Sequence, residues 1–209
     1  TIVIITNNTT GCDAIGVPII TTFDVLEVPI IDNVSISVNQ PICQGENATA
    51  SISGASINDG NYDLVYDITG SNTVTGQVVS VVFSGGNTSF VIPNSQISVV
   101  GSYTITITNI VDNNTPNACL NAVTNVTTTF IVSENPDTSN TNLTAVDPIC
   151  LGTNGTITLT DIIGTLSDGN YIITYDVSGA NISVNESASV TISGGTGSFS
   201  VPSSILTNI

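Results

Sequence analysis

The reactive side chains of this sequence are sixteen carboxylates and four thiols, set among hydroxyls and amides, with no lysine, arginine or histidine. That inventory excludes whole classes of chemistry. Without histidine there is no Ser-His-Asp triad, no Cys-His pair and no imidazole metal ligand. Without lysine there is no Schiff base, no P-loop and no Lys–Asn isopeptide cross-link. A chain of formal charge −16 has nothing to neutralise a phosphate backbone, which excludes nucleic acid as a partner and argues against anionic membrane surfaces. What remains is carboxylate chemistry, either the paired acids of a glycosidase or calcium binding, and thiol chemistry.

The carboxylates are dispersed, and no pair stands in an apolar setting that sequence identifies, so the chain is read as having no catalytic residue. Asp59-Gly60-Asn61 and Asp168-Gly169-Asn170 lack the further carboxylates and closing Glu of an EF-hand loop. They read as hairpin turns whose Gly takes positive φ. Asp63, Asp67 and Asp176 fall on outward strand positions and read as solvated. Two pairs, Glu27 with Asp32 and Glu134 with Asp137, stand near the expected domain junctions. They are the candidates for a calcium ion shared between neighbouring domains, although two carboxylates are a thin ligand set. No other cofactor is expected.

Four cysteines in an acidic, Thr/Asn-rich chain fit an oxidising compartment. Cys12 to Cys43 and Cys119 to Cys150 are both spaced by 31 residues. Four readings stand open. Cys12 pairs with Cys43 and Cys119 with Cys150; or Cys43 pairs with Cys119 inside one domain; or the second-strand cysteine of one domain meets the last-hairpin cysteine of the following one; or all four are free thiols. In a simple sandwich Cys43 and Cys119 fall at opposite ends of the domain, which strains the ~7 Å Cα limit of a disulfide.

The elements that position these groups emerge from an internal repeat. Pro41-Ile42-Cys43 recurs as Pro148-Ile149-Cys150, 107 positions on, and Asp59-Gly60-Asn61-Tyr62 recurs as Asp168-Gly169-Asn170-Tyr171, 109 positions on. From Asp59 to Pro93 the ungapped match is 16 identities in 35, too many for shared composition. Cys12, Thr21, Thr22, Phe23, Val25, Glu27 and Pro29 match Cys119, Thr128, Thr129, Phe130, Val132, Glu134 and Pro136. The chain is therefore read as the C-terminal strands of one repeat (1–32), a complete repeat (33–139) and the N-terminal strands of the next (140–209), an internal excerpt of a longer array. A period of this length suits domains in series rather than a solenoid.

Tyr62, Leu64, Tyr66 and Ile68 alternate with polar or outward residues, as do Tyr103, Ile105 and Ile107 with threonines. That period of two marks antiparallel strands wetted on one face. Strands are expected near 34–38, 47–53, 62–68, 77–83, 88–92, 102–109 and 123–132, with turns at 58–60, Gly70, Gly85-Gly86, Pro93-Asn94 and 113–116. Seven short strands in about 105 residues predict an all-β fold of tandem immunoglobulin-like β-sandwich repeats. The 40% hydrophobic content separates the chain from disordered acidic tails. No apolar run approaches the ~18 residues of a membrane span.

Ile-Cys-x-Gly before a Thr-rich strand, then Asp-Gly-Asn-Tyr, Ser-Gly-Gly, Gly-x-Tyr-Thr-Ile-Thr-Ile-Thr and a Cys before Thr-Thr-Phe together resemble the repeats of giant SprB-type gliding adhesins of Bacteroidetes. The resemblance covers essentially the whole chain. It implies export by the type IX secretion system and a place in outer-membrane-attached surface filaments that adhere and drive gliding. The expected role is a structural stalk segment whose partners are other repeats of the same filament, with an external surface or polysaccharide as a further partner. The alternative is a glycan- or surface-binding module of an extracellular matrix protein, against which stand the low aromatic content and inward-facing tyrosines.

Overall fold

The computed structural model describes residues 5–14, 16, 20–22, 25, 27–113 and 119–209. The turn expected at 113–116 and Phe23 of the N-terminal match fall wholly or partly outside them. Two compact units, Thr1–Ser133 and Glu134–Ile209, divide the chain. Among the described residues every regular element is a β-strand apart from one short 3-10 turn at Asn94–Gln96, as the Ile/Val/Thr-rich alternation predicts.

In the first unit the strands are β1 (Ser35–Val38), β2 (Ile42–Cys43), β3 (Ala48–Ser53), β4 (Gly60–Gly70), β5 (Val74–Phe83), β6 (Thr88–Ile92), β7 (Gly101–Asp112), β8 (Cys119–Ala122) and β9 (Thr127–Ser133). One sheet has the order β1-β3-β6; the other has the order β2-β9-β7-β4-β5, with β8 also on β7. Strands β8 and β9 together pair along the length of β7, interrupted by a bulge at Asn125, whose φ is +58°. Tyr62, Leu64, Tyr66 and Ile68 of β4 face the same core as Tyr103, Ile105, Ile107 and Ile110 of β7 and Ala50 and Ile52 of β3. Burying one such side chain contributes roughly 1.5–3 kcal/mol, and this core closes on both sides. Tyr103 is fully buried, its ring 5.5 Å from Phe130 in a stacked arrangement and its hydroxyl donating to the Val99 carbonyl at 2.6 Å.

The seven expected strands are present, with β2 and β8 in addition. Strands β4 and β7 run longer than expected, and β2 is a two-residue strand parallel to the end of β9, with Ile42 opposite Val132 and Cys43 opposite Ser133. So short a parallel edge leaves no alternation to read.

The second unit holds β10 (Thr141–Ala145), β11 (Gly155–Asp161), β12 (Gly169–Val177), β13 (Ser183–Ile192) and β14 (Thr196–Val201). Its sheets are β10-β11-β14 and β12-β13. These reproduce β1-β3-β6 and β4-β5 in order and register. Leu143 stands opposite Leu159 as Ile36 stands opposite Ile52, and Gly155 opposite Val201 as Ala48 opposite Ile92. Even the register shift between Tyr66 and Ile68 recurs between Tyr175 and Val177. No strand of this unit corresponds to β7, β8 or β9.

Candidate functional site

Most of the carboxylates singled out by sequence hold the backbone together. Asp59 does not sit in a hairpin: the segment 58–60 crosses from β3 in one sheet to β4 in the other. Its Oδ1 accepts from the Gly85 amide at 2.7 Å, clamping the β5–β6 turn. There Gly85 and Gly86 take φ of +56° and +76°, and a Cβ on Gly86 would overlap the Ala55 carbonyl, so the glycine requirement lies in this turn. Asp67, expected to be merely solvated, accepts from the Gly76 amide at 2.7 Å. Its counterpart Asp176 accepts from the Asn185 amide at 2.8 Å, and Gly76 and Asn185 both have positive φ. Asp63 accepts from the Ser80 hydroxyl at 2.6 Å, and hydrogen bonds from Ser80 and then Asn113 hold its carboxyl below the usual range.

Of the four junction carboxylates, Asp32 and Asp137 are engaged in the same way. Asp32 Oδ1 accepts from the Thr124 amide at 2.6 Å, beside bonds from Asn121 Nδ2 to the Pro29 carbonyl and from the Asn33 amide to the Thr124 carbonyl. Glu27 lines a hollow of 170 Å³ with Asn58, Tyr62 and Asp112. There burial, then Asp112 and Asp59, push the Tyr62 phenol above its ordinary pKa. Asp137 accepts from the Ser139 amide at 2.9 Å, which lowers its pKa, and Glu134 is exposed. Among the described residues no three His, Cys, Asp or Glu side chains gather closely enough to hold a metal ion.

Sequence gave no hint of the carboxylate at Asp161. It is the one buried charged residue among those described. The Leu166 amide at 2.6 Å, opposed by burial and joined by the Ile163 amide at 3.2 Å and neighbouring amides, holds its carboxyl below the usual range. Asp161 thus pins the longer β11–β12 crossover, where the second unit carries its two-residue insertion.

No disulfide is found among the described residues. Cys12 and Cys150 are exposed; Cys43 and Cys119 are half-buried. The pairing of Cys43 with Cys119 is ruled out by register. Cys43 lies beside Ser133 at the Gly101 end of β7, and Cys119 lies opposite Asp112 at its other end. At ~3.4 Å per residue those ends are about 37 Å apart, far beyond the ~7 Å a disulfide spans.

A mostly apolar concavity lies in the second unit. A cleft of 440 Å³ is lined by Leu143, Ile149, Ile157, Tyr175, Phe199 and Leu206 among others. A smaller hollow of 150 Å³ continues along β12 past Tyr171, Ile173 and Val190. Leu143 is 66% exposed where its counterpart Ile36 is 8% exposed, and Ile149 is 40% exposed where Ile42 is 1% exposed. Tyr171, Ile173, Tyr175 and Val177 are only half-buried, whereas Tyr62, Leu64, Tyr66 and Ile68 are buried. Gly70 gives the same contrast at the backbone: a Cβ there would overlap the Ser102 carbonyl of β7, while a Cβ on its counterpart Gly179 meets open space. Sequence shows the residues that line this cleft but not its openness, which depends on strands elsewhere.

No family model matches the chain, and no curated protein matches it. Among solved structures it is similar to trypsin-activated alpha-2-macroglobulin from Escherichia coli, at 13% identity and a TM-score of 0.30 over 89% of this chain. The chain spans 14% of the length of that protein. A likeness at that level assigns neither fold nor function.

Proposed function

We propose that this chain is a tension-carrying spacer of an extracellular surface fibre, built of tandem immunoglobulin-like β-sandwiches about 107 residues apart, and that it is not a catalyst. The observation that carries this reading is the path of the chain through the first unit. The backbone arrives beside Asp112, where Glu27 and Val28 line the hollow at that end of β7. It leaves at Ser133, beside the Gly101 end. Segment 29–33 runs parallel to β8 and the bulge, joined by the bonds to Asn121 and Thr124. Tension drawn between the two ends loads this seam in shear, so its bonds fail together rather than one at a time. Buried Ile31 and Val132 belong to the same core and resist the same displacement.

Composition supports the setting. Uniform negative charge keeps neighbouring fibres apart to within the ~8 Å screening length of physiological salt. A chain without Lys or Arg offers trypsin-like proteases no cleavage site. The resemblance to SprB-type adhesin repeats favours a surface filament of adhesion and gliding, exported by type IX secretion, with other repeats as the nearest partners. A glycan-binding role has less support, because Tyr62, Tyr66 and Tyr103 are buried and give no stacking platform.

The test is single-molecule extension of the full chain by its termini. The spacer reading expects one high-force event that releases about 30–35 nm, the contour of roughly one hundred residues less the folded length. Gradual extension at low force, with no such event, would contradict it.

A further inference from the structure

We propose that the free edge of β5 joins a second copy of this chain through a two-fold antiparallel pairing centred on Ser80. Strand β5 ends the run β2-β9-β7-β4-β5 and pairs with β4 alone, so its other side presents unpaired amides and carbonyls. The edge is not a gap in the sandwich. Its inward side chains Val79 and Val81 already pack into the core of the first unit, and Phe83 is fully buried there. On the outward face Val78 is 65% exposed and Val82 63% exposed.

Three observations name a second copy as the occupant. The first is self-complementarity. Val78-Val79-Ser80-Val81-Val82 reads the same in both directions. A two-fold axis at Ser80 therefore sets Val78 against Val82, Val79 against Val81 and Ser80 against itself, as an isologous interface requires. Val78 and Val82 of both copies then cover one another as cross-strand pairs. The second is charge. No residue from Val74 to Phe83 is charged, although the chain carries −16. The carboxylates on β4, Asp63 and Asp67, stand one strand in and are bonded to Ser80 and Gly76. Across the pairing, β4 lies three strand spacings from its copy, roughly 14 Å, beyond the ~8 Å screening length of physiological salt. The charge that holds chains apart elsewhere is absent from this edge. The third is the other unit. At the same register β13 carries Ser187, Thr191 and Glu186 where β5 carries Val78, Val82 and Gln77. The fold thus does not need the exposed valines, and a charge on an edge strand is a usual guard against pairing. The inference rests on one strand edge and not on the spacer reading, whose extension event would survive its failure.

The test is sedimentation equilibrium of the full chain from micromolar to millimolar concentration, in reducing buffer so that thiol cross-links do not join copies. A monomer–dimer equilibrium is expected, strengthened by added salt because the net charge of −16 opposes it. Hydrogen exchange at the two ends of that range should show amides of 77–83 slowed at least ~10-fold on dimerisation and those of 186–192 unchanged. The double variant Val78→Ser, Val82→Thr takes the residues that the second unit already carries in the same hairpin, so it keeps the fold. It should raise the dissociation constant at least ~10-fold. A chain that stays monomeric at millimolar concentration, association weakened by salt, a dimer indifferent to the double variant, or protection that omits 77–83 would each overturn the proposal. Higher oligomers without a dimer would do the same, since a two-fold pairing closes on itself.

Discussion

Tyr66 and Tyr175 hold the same place in two units of one chain, yet one is buried and the other half-exposed. Each faces a phenylalanine of the opposite sheet, Phe90 at 5.3 Å and Phe199 at 5.1 Å. Each belongs to a strand that reverses through a hairpin clamped by an aspartate one residue on, Asp67 or Asp176. Tyr62 and Tyr171 likewise donate to the carbonyls of Asn58 and Ser167. The local frame is thus common to both units. The difference lies in what is packed from a distance: β7 and β9 in the first unit, none of the described strands of its own in the second. Hairpins and their clamps arise from near neighbours, whereas burial depends on strands remote in sequence.

The comparison is most sharply broken by removing the central ring. Tyr103→Ala should cost the first unit about 3–5 kcal/mol, the range for deleting a large buried ring. Tyr175→Ala should cost the second only about 1 kcal/mol, because its ring is already half in water. Denaturant melts followed by exchange in each unit separate the two effects. Gly70→Ala and Gly179→Ala come next. Both place a Cβ at positive φ, a strain of about 1 kcal/mol, but only Gly70→Ala also forces β4 away from the Ser102 carbonyl. The first should lower the midpoint of its unit by at least twice as much as the second.

A third pair tests the shared frame instead of the difference. Asp67→Ala and Asp176→Ala each remove one acceptor for a backbone amide, worth about 1 kcal/mol at an exposed hairpin. The two losses should agree within error. A large inequality would mean that the hairpins are not equivalent.

The smallest effect is pH dependence. Asp161 in the second unit has its pKa lowered by the amides it accepts from, chiefly that of Leu166, and Asp63 in the first by Ser80 and Asn113. A carboxyl depressed in the folded state stabilises it above the ordinary value of ~3.9, and that contribution fades as pH falls through the folded value. Thermal midpoints should therefore be flat from pH 7 to about 5 and fall below about pH 4. Asp161→Asn should flatten the acid limb of the second unit alone.

Much of this frame could be read from residues. The alternation at 62–68 and 102–107 located β4 and β7, and Gly85-Gly86 located the β5–β6 turn, because side-chain period and turn chemistry are local properties. The roles of Asp59 and Asp67 could not be read, since their partners lie on another strand 26 and 9 residues away. The same limit hid the two-residue strand β2. Cysteine spacing left the pairing of Cys43 with Cys119 open and register excludes it, because spacing in sequence says nothing of which end of β7 each of these two thiols occupies. The cleft was the least legible feature: Leu143 and Ile149 look as core-like as Ile36 and Ile42, and only the absence of a covering strand within their unit separates them.

Hydrogen exchange of the full chain without additives tests most directly whether two like frames differ by their missing partner strands. Amides of Tyr62–Ile68, paired on both edges, should exchange at least ~100-fold more slowly than those of Tyr171–Val177, paired on one. Equal protection of the two segments in dilute chain would show that β12 is already covered and would contradict the account.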